Sequence, residues 1–195
     1  SDDAVAGADG LVKKGAGTMT LSSGSTFTGG LEIQAGTFRL AAANVLPSGP
    51  LNVVTLAGGT LANGPTGSAG FSDDLGDLAV TETSGLSFGT SGVVRFAGLS
   101  AFDTTKTLTV SNWAGAAGGP GTGGRFVVTS DAGFTPTVLG RINFATFDPG
   151  AALIPYTGAG GGFEVVPAVV PEPAAVLAAA AAGLVLAGRV RRRLR

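Results

Sequence analysis

Three times in the first third of the chain, a glycine is followed by a threonine and then by a large apolar residue. Gly17-Thr18-Met19-Thr20-Leu21, Gly36-Thr37-Phe38-Arg39-Leu40 and Gly59-Thr60-Leu61 share this pattern, their glycines 19 and then 23 positions apart. Each unit alternates with the period of a strand, so Met19 and Leu21 share one face, as do Phe38 and Leu40. Leu31 and Ile33 supply a further short strand between the first two units. A repeat of about 20 residues is the length of one solenoid turn. The pattern predicts an all-β parallel solenoid whose turns stack about 4.8 Å apart, with the inward apolar residues in continuous columns. Outward threonines suit strand geometry, and glycines permit sharp corners.

Farther on, the alternation continues with longer corners. Residues 65–76 are rich in Gly, Ser and Asp and read as a loop. Its Asp73 and Asp74, with the neighbouring Asp77, offer half of the six or more oxygens that calcium needs, at a spacing that matches no calcium loop, so a solvated turn is expected. Strands are predicted over 78–83, 86–89, 93–97, 107–112, 125–129 and 141–147, the last with Ile142, Phe144 and Phe147 as core residues. Thr135, Pro136 and Gly140 bracket a helical turn as N-cap, first residue and stop. A solenoid exposes unpaired edges at its ends and must cap them. The aromatic density from Phe126 to Phe147 suits a cap. Trp113, at the head of a second glycine-rich loop over 114–124, reads as a cover for an open end of the core rather than as a sugar-stacking platform. Residues 157–162 read as a flexible spacer between cap and tail.

The string Leu11-Val12-Lys13-Lys14-Gly15-Ala16-Gly17-Thr18-Met19-Thr20-Leu21, then Phe27-Thr28-Gly29-Gly30, then Ala35-Gly36-Thr37-Phe38-Arg39-Leu40 resembles the autotransporter-associated β-strand repeat. Phe27 stands where that family commonly has Tyr, and Met19 where it has Leu. The resemblance implies a passenger-type, right-handed parallel β-helix, and it implies no activity.

The C-terminus carries a different signal. Pro171-Glu172-Pro173 precedes an uncharged run over 174–188 that includes Ala174, Val176, Leu177, Leu184, Val185 and Leu186. The basic end follows: Arg189, Arg191, Arg192, Arg193 and Arg195. As a helix the run would be about 22 Å long at ~1.5 Å per residue, short for a bilayer core of about 30 Å. Snorkelling arginines extend it and hold that end in the cytoplasm. The prolines stop the helix on the outer side and leave an accessible peptide there. This layout resembles the PEP-CTERM sorting signal of Gram-negative bacteria. The resemblance implies a short transmembrane helix, recognition of Pro171, Glu172 and Pro173 by an exosortase, and release to the cell surface or an extracellular polysaccharide matrix. The alternative is a span that is never cut.

Composition narrows the chemistry. Charged residues are 13% of the chain, against about 25% in ordinary globular proteins. There is no histidine and no cysteine, so neither a Ser-His-Asp nor a Cys-His set can form, and export must proceed without disulfides. Residues 1–170 hold 12 acids and 7 bases, a balance that attracts no nucleic acid. Glu32 and Glu82 stand isolated, and Arg39 and Arg95 show no acidic partner in register. The chain opens Ser1-Asp2-Asp3 without an initiator Met or an apolar run, which for exported cargo points to a fragment of a longer protein.

The organisation expected is repeat rungs over 1–64, further rungs and a C-terminal cap over 65–166, and a sorting tail over 167–195. No catalytic residue, metal ligand or cofactor is expected. The expected role is a non-enzymatic surface or matrix structural protein. The alternative is an adhesin or glycan-binding module using Trp113 and Tyr156. The expected partners are the processing enzyme, the membrane in transit, and extracellular polysaccharide.

Overall fold

The computed structural model describes residues 9–49, 52–147 and 149–169. Among these, sixteen short strands and one helical turn form three sheets. The first sheet stacks β1 (Leu11–Lys13), β3 (Leu31–Ile33), β5 (Val54–Leu56), β8 (Leu78–Val80) and β11 (Leu99–Phe102). The second stacks β2 (Thr18–Leu21), β4 (Thr37–Leu40), β6 (Thr60–Ala62), β9 (Ser84–Ser87), β12 (Leu108–Ser111) and β14 (Ile142–Phe144). The third holds β7 (Asp73–Leu75), β10 (Val93–Phe96), β13 (Arg125–Val128), β16 (Phe163–Pro167) and β15 (Ala151–Pro155), in that spatial order. Every pairing in the first two sheets is parallel. The chain is therefore a parallel β-solenoid.

The register places like over like. Met19, Phe38, Leu61, Leu86, Val110 and Phe144 form one inward column of the second sheet. All but the partly buried Met19 of the terminal rung are at most 1% exposed. Ile33, Leu56 and Val80 form a matching column in the first sheet, each fully buried. Burying a side chain of this size stabilises by roughly 1.5–3 kcal/mol, so the columns supply the main driving force. Asn63 is a buried polar residue beside these columns, with no exposure. Its Nδ2 donates to the carbonyls of Phe71 and Ser91, and its Oδ1 accepts from the Gly89 amide.

Corners are set by how closely turns approach. Thr37 N donates to Gly17 O at 3.2 Å, and Thr60 N to Gly36 O at 2.8 Å. Gly36 has φ +67°, and a Cβ there would lie 2.4 Å from Gly17 O and 2.5 Å from Gly15 O. Gly36 is thus required by the backbone of the turn below, whereas a Cβ on Gly17 would meet nothing within 4 Å and one on Gly59 would first meet the Ile33 side chain.

The third face is filled in stages. In the early turns, residues 22–30 and 41–49 occupy the chain position later taken by third-sheet strands. Bonds that join them to neighbouring turns include Ser25 N to Val45 O and Asn44 N to Ser72 O, and they add Phe27, Val45 and Leu46 to the core. The loop expected over 65–76 does not run its full length. Its end forms β7, paired in parallel with β10 as Asp73 with Val94, Asp74 with Arg95 and Leu75 with Phe96. Two aspartates carry poor strand propensity, and pairing to the next turn overrides it.

The C-terminal side of the described stack is closed by breaks in the regularity. The helical turn α1 (Pro136–Leu139) stands between β13 and β14, where earlier turns place a first-sheet strand. Thr135 caps it by accepting from Val138 N at 3.3 Å, and Gly140 ends it, as the sequence implied. In the third sheet, β16 runs antiparallel to both β13 and β15. Residues 157–162 are therefore the loop of the β15–β16 hairpin, not a spacer to the tail. The short glycine run serves to turn the chain back onto its own sheet. Trp113 is 6% exposed and meets Phe144 and Phe147 edge-on, with ring centroids 5.2 and 5.4 Å away, in the covering role expected of it. In the first described rung, Lys13 points inward above the Ile33 column. Its Nζ donates to Lys14 O, Gly15 O and Ala35 O at 3.0, 2.6 and 2.9 Å.

No helix among the described residues is long and apolar enough to cross a membrane. The Pro171-Glu172-Pro173 motif, the apolar run over 174–188 and the arginines from Arg189 to Arg195 lie outside the described residues.

Gly36 and Gly67 separate conformational strain from crowding. Both have positive φ, but a Cβ on Gly67 would meet nothing within 4 Å. Gly67→Ala is expected to cost about 1–2 kcal/mol from backbone strain. Gly36→Ala adds a clash with fixed backbone and is expected to cost about 3 kcal/mol or more. Urea denaturation of both variants measures the difference, and equal losses would show that turn spacing does not dictate this glycine.

Candidate functional site

The outward face of the second sheet carries a polar groove of about 380 Å³. Its shape follows from side-chain length along one outward column. Thr20, Arg39, Ala62, Ser87 and Ser111 succeed one another on neighbouring strands. Arg39 is long, while Ala62, Ser87 and Ser111 are short, so a hollow opens beyond the guanidinium. Asn112 bounds the far end and donates through Nδ2 to Ser87 Oγ at 3.0 Å. The chain over 64–66 bounds one side. Thr18, Thr37 and Thr60 form a second column of the floor. A Cβ on Gly85, the next residue in that column, would lie 2.7 Å from Thr60 Oγ1. Glycine there leaves room for the threonine side chain.

Arg39 donates through Nη2 to Thr20 Oγ1 at 3.0 Å. Among the described residues it forms no ion pair, and no carboxylate lines the groove. Three ion pairs among the described residues lie away from the groove. Arg95, expected to lack a partner, meets Asp74 at 3.4 Å across the third sheet. Glu82, expected to be isolated, meets Lys106 at 2.5 Å. Corners of unequal length hid both pairings, which join residues 21 and 24 positions apart.

The hairpin covers the third sheet's outer face. Tyr156 packs against two guanidinium groups, with Arg95 and Arg125 at 5.5 and 5.6 Å from its ring centre. Arg95 also donates to the carbonyl of Ala159. Glu164 has a side chain only 1% exposed and pairs with Arg125 at 3.2 Å, while the Gly121 amide donates to it at 2.8 Å. Burial raises its pKa, against the pull of that amide and of Arg125. The two aromatics considered for sugar stacking, Trp113 and Tyr156, are thus occupied, one by the core and one by arginines.

Residues 11–40 match the passenger-associated-transport-repeat. The transport repeat covers β1 to β4, the first two rungs, and includes Thr18, Thr37 and Arg39 of the groove. No curated protein and no solved structure gives a significant match.

In the segment after the transport repeat, Val45 and Leu46 are held by an aspartate rather than by a strand. Asp73, only 1% exposed, points inward and accepts through Oδ2 from Val45 N at 2.8 Å and Leu46 N at 3.1 Å. It is not part of a solvated turn, because these two amides need an acceptor and their segment forms no ladder of its own. Its Oδ1 is buried and has no partner among the described residues. Burial lifts the Asp73 carboxyl from 3.8 to about 6, against the two amide bonds, with Asp74 adding to the rise. Asp73 and Asp74 line a hollow of about 200 Å³ with Arg95 and Tyr156. Among the described residues no group of three or more acids is placed to hold a metal.

A raised carboxyl pKa makes the folded state keep a proton that the unfolded chain releases. Stability from Asp73 is therefore fully present below about pH 4 and falls as pH rises towards 6. The size is about 3 kcal/mol, at about 1.4 kcal/mol per pKa unit. Asp73→Asn cannot titrate. The stability of the native protein minus that of Asp73→Asn is expected to fall by this amount between pH 4 and 6.5, as read from paired denaturation curves. A pH-independent difference would contradict the assignment.

Proposed function

We propose that this chain is a non-enzymatic structural component of the bacterial cell surface or extracellular matrix, exported as a stiff solenoid rod. The carrying observation is the coincidence of the transport repeat with the first two rungs of a parallel β-solenoid. A repeat of this type points to an exported surface protein of a Gram-negative bacterium. The continuous apolar columns of the interior support a mechanical role. Lack of histidine and cysteine and the pairing of Arg95, Lys106 and Arg125 with acids across neighbouring turns support a role without catalysis.

The C-terminal residues complete the proposal. Pro171, Glu172 and Pro173 are the recognition motif of an exosortase-type membrane enzyme, the run over 174–188 is a transient membrane span, and Arg189 to Arg195 hold its end in the cytoplasm. Cleavage frees the rod for the surface or the polysaccharide matrix.

Intact mass spectrometry of the protein from membrane and extracellular fractions of its native host tests this reading. The expected product is extracellular and ends near Pro171, without the arginines. A membrane-bound form that retains Arg195 would instead establish a permanently anchored rod.

A further inference from the structure

The three outward faces of the solenoid differ in charge, and that difference identifies a binding surface. The first sheet exposes Glu32, and the third exposes Asp74 beside Arg95. On the second sheet, the outward residues are Thr18, Thr20, Thr37, Arg39, Thr60, Ala62, Gly85, Ser87, Thr109, Ser111 and Asn143. Arg39 is the one charge in that series. It stands at the head of a groove whose remaining polar groups are hydroxyls and one amide.

We propose that this groove binds an acidic polysaccharide segment lying across the strands. The Arg39 guanidinium pairs with a uronate carboxylate, and the hydroxyls of Thr37, Thr60, Ser87 and Ser111 exchange hydrogen bonds with ring hydroxyls. Three features favour this occupant. A planar guanidinium matches a carboxylate with two parallel hydrogen bonds. Floor hydroxyls repeat from strand to strand at about 4.8 Å, a spacing suited to successive sugars in an extended chain. The groove opens on the outward face of the sheet, so a polymer segment can be laid in from the side.

The acidic balance of residues 1–170 does not forbid an anionic ligand. Charge is screened beyond about 8 Å at physiological ionic strength, and among the described residues no carboxylate lines the groove. A single arginine is too little for a nucleic acid, whose binding needs many phosphate contacts. The inference does not depend on the export route, because it concerns the groove alone.

The test uses the full 195-residue chain with polygalacturonate as the acidic probe and dextran as the neutral one, by affinity electrophoresis at two salt concentrations. Polygalacturonate is expected to retard the protein, more strongly at low salt, and dextran to leave its mobility unchanged. Arg39→Gln is expected to weaken retardation by about tenfold or more. Ala62→Leu, which fills the floor from the outward side, is expected to abolish it. Circular dichroism checks that both variants keep the solenoid. Lack of retardation of the native protein, equal retardation by dextran, or retention of native affinity in both folded variants would each overturn the proposal.

Discussion

Each strand of the first two sheets is hydrogen-bonded to strands roughly one turn away in sequence and not to its neighbour in the chain. This turn-to-turn ladder is the constraint on which the rest depends. It fixes the register, and the register sends Phe38, Leu61, Leu86, Val110 and Phe144 into one column. A slip of one residue would send that whole column to solvent. The ladder also brings backbones together at the corners, which is why Gly36 tolerates no side chain. Apolar burial and corner geometry are two consequences of one pairing scheme.

A ladder of this kind does not end itself. In the first described rung Lys13 places an ammonium in line with the Ile33 column and satisfies it with three carbonyls. At the last rungs the sheets are closed one by one: α1 replaces a strand of the first, the β15–β16 hairpin reverses direction in the third, and Trp113 packs with Phe144 and Phe147 on the inward side of the second. The Glu164–Arg125 pair ties the reversing hairpin to the last parallel strand of the third sheet. Losing Arg125 would leave a buried carboxylate unpaired, the costly way to break such a pair.

What the sequence disclosed tracks how local each signal is. The Gly-Thr-apolar units, the cap formed by Thr135 and Pro136, and the alternation of Leu108 with Val110 are written within a few residues, and the corresponding elements form where expected. β7 was hidden because Asp73-Asp74-Leu75 acquires strand character only from its partner β10, 21 residues on. β15 and β16 were hidden because their antiparallel pairing departs from the repeat, and Gly160, Gly161 and Gly162 read as a linker when seen without their flanks. The groove was half legible. Outward Thr18, Thr37 and Thr60 follow from the alternation, but the hollow depends on Ala62 and Ser87 falling beside Arg39. That juxtaposition needs the corner lengths, which composition does not encode.

The same scheme explains how a chain with so few charged side chains can carry a specific surface. Inward positions are committed to the columns, and outward positions on the second sheet bear little of the folding free energy. A substitution there alters length or charge while the ladder and the columns remain. The exposed face is thus free to accumulate hydroxyls in register and to hold one cation among them. Asp73 shows the opposite case. It occupies an inward position, holds two amides that would otherwise be unpaired, and carries the penalty of burial in its raised pKa. Polar groups in this solenoid are structural when they face inward. When they face outward on the second sheet, the scaffold asks nothing of them, and their regular spacing becomes available to a ligand.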